Sequence, residues 1–396
     1  MINLFKKRQP AFMALIALLL SMQLSAQTES LPFEVLAGLF DFSQPETLGL
    51  SFAPGTETVS IFKPEAQTDH YSNGVVLMPF RGYLYAQWQS SSEDEDGDDT
   101  WVAYSRSPDG IHWCKPMVLA PKWDEGIYTS GGWWVDGDTL VAYLNVWPQG
   151  LEPEGGSVLF QTSTDGIHWS SRQSLLNQSG LPVEGIIEQD MHALPDGRVI
   201  TAIHEQPGLV VVPYFTDDAR GMTGWTKGCM AHLPFEGTVS RELEPSWFYR
   251  TDGAVVMIFR DQASSFRKLA SVSFDRGATW STPVVTEMPD SRAKQSAGNL
   301  PDGTAFQVNN PSQNKTRFPL VIVLSLDGLL FDCAFLLRAG GRDLQPLRYE
   351  GKYKRIGYHY PKSVVWNDCL YIGYATNKED VELTRVPMSS LGDTHP

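Results

Sequence analysis

Three histidines, one tyrosine and a set of basic loops are the groups in this 396-residue sequence whose types suit chemistry. His70 stands in Thr68-Asp-His-Tyr-Ser-Asn-Gly74, and His192 and His204 flank the turn Pro195-Asp-Gly197. A neutral His abstracts a proton well near neutral pH. A Tyr such as Tyr358, in Gly357-Tyr-His-Tyr-Pro-Lys362, can do the same when an Arg neutralises the charge that develops. Arg260, in Phe259-Arg-Asp-Gln262, is such an Arg. Acids also recur two apart, as Glu188 with Asp190 and Glu242 with Glu244, the second pair beside Arg241. Paired carboxylates are the usual apparatus for cleaving a glycosidic bond. Acids beside Arg are more often ion-paired, so these four read first as holders of neighbouring basic groups.

The binding candidates are amides, cations and indoles: Trp133, Trp134, Gln189, Arg292, Lys294, Gln295, Asn310, Lys315 and Lys362, together with Arg260. Planar amides and guanidinium groups bond hydroxyls and carboxylates, and aromatic rings stack on pyranose faces. The mixture points to a carbohydrate, and Arg292, Lys294, Lys315 and Lys362 suit the carboxylate of a uronic acid. Cys114, Cys229, Cys333 and Cys369 form no C-x-x-C pair, so no zinc site is expected, and they read as free core thiols. The run Glu93-Asp-Glu-Asp-Gly-Asp-Asp99 lacks the remaining ligands of a calcium loop and reads as a solvated hairpin tip. No metal or other cofactor is expected.

These residues sit between repeats. Ser107-Pro-Asp-Gly-Ile-His-Trp113 recurs as Ser163-Thr-Asp-Gly-Ile-His-Trp169 and as Ser273-Phe-Asp-Arg-Gly-Ala-Thr-Trp280. A decayed copy is Ser325-Leu-Asp-Gly-Leu-Leu-Phe331, and a fainter one ends at Trp225. Ser and Asp bond turn backbone, Gly supplies a positive φ, and the aromatic packs beneath the loop. His112 and His168 occupy equivalent places in this repeat and are therefore structural. A second turn series interleaves with the first, at Gly82, Gly137, Gly197, Gly253 and Gly303, and in a variant form at Asp368. Its glycines are 55, 60, 56 and 50 residues apart. Two hairpins per repeat of that length make one four-stranded blade of an all-β propeller. Six blades are visible. Residues 33–62, with the chain end after Val381, are expected to supply a seventh and close the ring, since open edges are a liability.

Composition agrees with one large folded domain: 42% of residues are hydrophobic and 19% charged. Lys6, Lys7 and Arg8, the apolar residues 11–20, and Leu24-Ser25-Ala26 read as a signal peptide over 1–26. Residues 27–396 then form the single domain, and the protein is expected to be exported to the periplasm or cell surface of a bacterium. Losing three cations takes the formal charge from −15 to −18, which disfavours nucleic acid and anionic membranes as partners. The apolar run is too short to span a membrane. A monomer acting on an oligosaccharide or polysaccharide is expected.

The repeats resemble the Asp box of the sialidase-like superfamily. The segments Ser130-Gly-Gly-Trp-Trp134, Phe259-Arg-Asp-Gln262, Ser291-Arg-Ala-Lys-Gln-Ser-Ala-Gly-Asn-Leu-Pro-Asp-Gly303, Tyr360-Pro-Lys-Ser363 and Asn377-Lys-Glu-Asp380 are similar to bacterial propellers around glycoside hydrolase family 145. That resemblance implies seven blades and an exo-acting α-L-rhamnosidase on rhamnose linked to glucuronic acid, with one catalytic histidine, for which His70 is the early candidate. Neighbouring propellers are ulvan lyases, which would use His192, His204, Arg260 and Tyr358 for elimination. The same repeats would also fit an exo-α-sialidase or a non-catalytic glycan-binding propeller. Sialidases carry an Arg triad, a Tyr-Glu pair and an early acid. Here Phe80-Arg-Gly-Tyr83 lacks the Ile-Pro of their motif, and Arg241, Arg260, Arg292 and Arg317 all compete for the triad.

Overall fold

The computed structural model describes residues 31–150 and 155–392. The proposed signal peptide lies outside the described residues. Among the described residues no helix is long and apolar enough to cross a membrane.

Six antiparallel blades follow one another in sequence, and short β-rich runs between Gly- and Asp-rich turns explain why. Their innermost strands begin with Tyr71–Phe80 in blade 1 and Gly126–Asp136 in blade 2. Blade 3 has a split inner edge, Ile186–Ile187 and His192–Ala193. Glu242–Tyr249, Ser296–Asn299 and Tyr358–Trp366 open blades 4, 5 and 6. The core lies between blades. One apolar cluster joins each neighbouring pair, from blades 1 and 2 round to blades 6 and 1, so the ring closes with six.

The seventh blade is replaced by a shared one. Glu57–Phe62 pairs with Asp380–Pro387 as the outer strand of blade 6. The two chain regions read as material for an extra blade instead complete one sheet, which removes the need for a further closure. Residues before them pack elsewhere: Phe33, Phe40 and Leu48 join the cluster between blades 4 and 5.

The Asp boxes fasten blade to blade. In the first, Asp109 Oδ1 accepts the Ile111 and His112 amides at 2.9 and 2.8 Å, and Ser107 Oγ accepts that of Gly110 at 2.8 Å. The second box repeats this bonding around Asp165. The fainter copy keeps its frame too, with Trp225 Nε1 donating to the Gly221 carbonyl. Box glycines press on the preceding blade. A Cβ on Gly166, at φ +70°, would stand 2.0 Å from the Tyr85 hydroxyl of blade 1. Gly166→Ala is therefore expected to cost about 2–4 kcal/mol, left-handed strain plus overpacking. Urea unfolding of the variant and of wild type measures it.

No disulfide joins the four cysteines, and none is a fully buried core thiol. Cys114 and Cys229 are exposed, and Cys333 and Cys369 are partly so. Their places near strand ends and blade edges leave them at the surface.

Candidate functional site

Four innermost strands carry an irregularity at the same height. The register shifts between Asn73 and Val76, Ser130 and Gly132, Leu243 and Ser246, and His359 and Lys362. A bulge leaves residues unpaired and re-aims their side chains. In blades 1 and 2 the bulge holds glycine, with Gly74 at φ +67° and Gly132 at +94°. In blades 4 and 6 it holds Glu244-Pro245 and Tyr360-Pro361, with Glu244 at φ +51° and Tyr360 at +56°. Proline is tolerated because the ladder needs no N–H there. Strained non-glycine residues at matching places in two blades are a mark of function.

Glu244 and Tyr360 face one axial cavity of about 190 Å³. Glu95 and Asp96, from the acidic loop of blade 1, and Lys294 also line it. Trp147, Ile186, Leu209 and Leu243 give the cavity an apolar wall on the side of blades 2 to 4. The acidic run is thus no free hairpin tip: Glu95 bonds Asn73 at 3.4 Å and pairs with Lys378.

Cations surround the Tyr360 ring. Lys294 Nζ, the Arg317 guanidinium and Lys378 Nζ lie 5.2, 5.3 and 5.6 Å from its centroid. Arg260 Nη1 donates to Glu244 Oε2 at 2.9 Å. Burial alone would raise the Glu244 pKa, but Arg260, Lys294 and Arg317 outweigh it and hold the carboxyl well below the usual range. Burial, and then the Glu244 charge, push the Tyr360 phenol up. The resting pair is therefore a carboxylate beside a neutral phenol.

The arginines are under-satisfied. The Nε atoms of Arg260, Arg292 and Arg317 are buried without a hydrogen-bond partner among the described residues. Arg292, at φ +55°, has its pKa lowered by burial and then by Arg260, Arg355 and Arg317. Arg317 Nη1 lies 3.3 Å from Nδ1 of His359, whose pKa burial and Arg317 pull far down. Arg260 is paired with Glu244, but Arg292 and Arg317 form no ion pair among the described residues, and guanidinium groups with donors to spare beside a cavity suit an anion.

Below them lies a buried ion network. Lys294 pairs with Glu188 at 2.7 Å and donates to Gln189 Oε1 at 3.0 Å. Lys362 pairs with Asp190 at 2.8 Å and donates to the Gln295 carbonyl at 3.2 Å. Gln189 donates to the Gly74 and Ser130 carbonyls, and Gln295 Nε2 donates to that of Glu244. Glu188 and Asp190 therefore hold lysines rather than arginines. Glu242 does not accompany Glu244: it accepts from the Leu233 amide and approaches His232.

The structure divides the sequence candidates. Arg260, Arg292, Lys294, Gln189, Gln295, Lys362 and His204 gather at or just under the cavity. His204 lines it as a neutral imidazole, its pKa lowered by burial. His192 is bound to Asp190 and packs edge-on to Trp247. His70 stacks on Tyr349 at 3.8 Å, in a separate surface pocket with Arg348. Tyr358 is core: its hydroxyl donates to the Ala339 carbonyl at 2.7 Å. Trp133 and Trp134 donate to the carbonyls of Val76 and Ala219, so their indoles fasten blades, and neither lines this cavity. Asn310 braces the Arg317 carbonyl, and Lys315 is exposed. Tyr360, Glu95 and Lys378 lie in segments marked in the sequence but were given no role at the site, and Arg355 was not marked. The signal that finds Tyr360 is the shared Glu-Pro and Tyr-Pro at equal depth in two inner strands.

Solved structures share this architecture. A sialidase superposes with a TM-score of 0.64 at 18% identity, over 90% of this chain and 35% of its own. A Dyadobacter fermentans DSM 18053 protein of unknown function gives 0.63 at 15%, over 84% and 99%. Trypanosoma rangeli sialidase in complex with sialic acid gives 0.61 at 14%, over 87% and 60%. The chain thus spans about a third of the first sialidase's length and three-fifths of the trypanosomal one. No curated protein matches the chain. Residues 82–373 match the family model described as BNR repeat-like domain, and with that match over most of its length the chain belongs to the BNR repeat-like domain family.

Proposed function

We propose that this protein is an exported glycosidase that removes a terminal sugar carrying a carboxylate on its anomeric carbon, the sialic-acid class. The observation that carries the reading is Tyr360, a buried phenol set between Glu244 and the Arg317 guanidinium, which forms no ion pair among the described residues. A substrate carboxylate on Arg317 and Arg292 would lie next to the carbon under attack. A carboxylate nucleophile would be repelled there, whereas a phenol stays neutral until its proton leaves. Tyrosine is the nucleophile that sialidases use for this reason.

The charges also time the step. At rest the arginines hold Glu244 ionised and weakly basic. A docked substrate carboxylate cancels part of that positive charge, so Glu244 gains proton affinity. Glu244 then takes the phenol proton as the Tyr360 oxygen bonds the anomeric carbon and the glycosidic bond breaks. Asp96, in its protonated form, is the carboxyl on the cavity wall that would give its proton to the departing oxygen, since Glu95 is held as a carboxylate by Lys378. Water later displaces Tyr360, and the anomeric configuration is retained.

A second reading keeps the carboxylate on the leaving sugar: rhamnose linked to glucuronic acid. The apolar wall of Trp147, Ile186, Leu209 and Leu243 favours it, since a 6-deoxy methyl group fits there as an acetamido methyl would. The test uses 3′-sialyllactose and a rhamnosyl-glucuronate oligosaccharide. Free sialic acid, with kcat/KM falling roughly 100-fold in Arg317→Ala, is the expected result. Free rhamnose establishes the second reading instead. New ultraviolet absorbance from a double bond means elimination, with His204 as the base at the cavity. Binding without any product makes the protein a glycan-binding propeller and sinks both hydrolytic readings.

A further inference from the structure

Arg317 is held differently from other cations around the axis. Arg260, Lys294, Lys362 and Lys378 each meet a carboxylate, from Glu244, Glu188, Asp190 and Glu95 respectively. Arg317 is only 5% exposed and forms no ion pair among the described residues. Its backbone is fixed, because its carbonyl accepts the Tyr358 amide at 2.8 Å and the Asn310 side chain at 3.2 Å. Its far end rests on two uncharged groups. The guanidinium carbon lies 5.3 Å from the centroid of the Tyr360 ring, and Nη1 lies 3.3 Å from Nδ1 of His359.

The hydrogen bonds of His359 fix its form. The ring is fully buried. Nε2 lies 2.8 Å from the Arg355 carbonyl, which can only accept, so Nε2 carries the hydrogen. Nη1 of Arg317 can only donate, so Nδ1 must offer it a lone pair. A second proton on the ring would set two N–H groups against each other. Burial and the Arg317 charge oppose that proton as well. The imidazole is thus an acceptor without charge. It pairs with Ala375 just before the bulge, so a single peptide bond joins the residue that steadies Arg317 to Tyr360.

We infer that His359 is a positioning residue for Arg317: it holds the guanidinium over Tyr360 through an uncharged acceptor and leaves the positive charge to the substrate carboxylate. This rests on the reading of Arg317 as a grip on the terminal sugar. A carboxylate at position 359 would hold the guanidinium as firmly, but it would compete with the substrate for it. An apolar side chain there would free the long Arg side chain to take other rotamers, and ordering it again would cost binding energy.

His359→Asn and His359→Asp separate charge from packing. Both delete the ring equally, and both can set an oxygen about where Nδ1 stands. On 3′-sialyllactose, His359→Asn is expected to keep KM within roughly threefold of wild type. His359→Asp is expected to raise it roughly 100-fold. Equal KM in the two variants overturns the inference, since a His that only packs is lost alike in each. His359→Leu tests the hold itself. Crystal structures are expected to place the Arg317 guanidinium over the Tyr360 ring in His359→Asn and away from it in His359→Leu. Arg317 unmoved in His359→Leu refutes the positioning role. If wild type leaves 3′-sialyllactose intact, the sialic-acid reading fails separately, and the two structures still decide whether His359 positions Arg317.

Discussion

Tyr360→Phe is expected to leave a folded protein whose kcat on 3′-sialyllactose is lower by on the order of 10⁴. The change deletes one oxygen. The ring stays, and with it the attraction of Lys294, Arg317 and Lys378 at 5.2 to 5.6 Å. The strained bulge is unaltered, because Phe meets the same backbone restrictions as Tyr. Arg317 and Arg292 still bind the substrate carboxylate, so KM should change far less than kcat. Tyr358→Phe is the control two residues away. It loses only the bond to the Ala339 carbonyl, about 1 kcal/mol of stability, and keeps its activity within about twofold. Steady-state kinetics and thermal melts on both variants make the comparison. Equal activity of Tyr360→Phe and wild type would remove the phenol from the chemistry.

That contrast also shows where sequence reading stops. Tyr358 and Tyr360 are two apart, and in a regular strand they would share a face. The bulge between His359 and Lys362 breaks the alternation, sending Tyr358 to the core and Tyr360 to the axis. Glu242 and Glu244 are parted by the equivalent bulge in blade 4. Alternation predicts faces only while the ladder is unbroken, so it could not separate Glu244 from Glu242 or Tyr360 from Tyr358. The Asp boxes were legible because their chemistry is local: Ser, Asp and Gly close a turn within a few residues. Arg260, Arg292 and Arg317 compete with Arg241 for one triad in the sequence, but which of them meet was not legible, because they come from different segments that only the fold brings together. The blade count failed for a similar reason. Setting Glu57–Phe62 with the chain end is right, but no local signal says that Asp380–Pro387 already belongs to blade 6.

Lys362→Met is expected to cost about 3–5 kcal/mol of stability at pH 7. Lys362 is 2% exposed and Asp190 5%, so neither charge can fall back on water. Met replaces the volume and removes only the charge. Burial would raise the Asp190 pKa, but Lys362, with His192 behind it, outweighs burial and holds the carboxyl low. Without Lys362 burial regains ground, and Glu188, 3.8 Å from the same ammonium, loses a partner as well. The sign with pH follows. In wild type Asp190 has a depressed pKa, so its contribution is present above the unfolded value of about 3.9 and is lost only in stronger acid. In the variant a raised pKa makes the ionised carboxyl a burden above that value, and protonation relieves it. The gap between variant and wild type should therefore be widest near neutrality and narrow as pH falls. Asp190→Asn in the Lys362→Met background should recover part of the loss, since a buried amide costs less than an unpaired carboxylate. Chemical unfolding at two pH values measures both effects. A gap that stays constant with pH would mean that Lys362 stabilises the ring by packing alone. Because Lys362 also donates to the Gln295 carbonyl, and Gln295 to that of Glu244, the variant that folds should bind substrate with a disturbed Glu244 bulge. The network thus joins the strength of the ring to the aim of its reactive carboxylate.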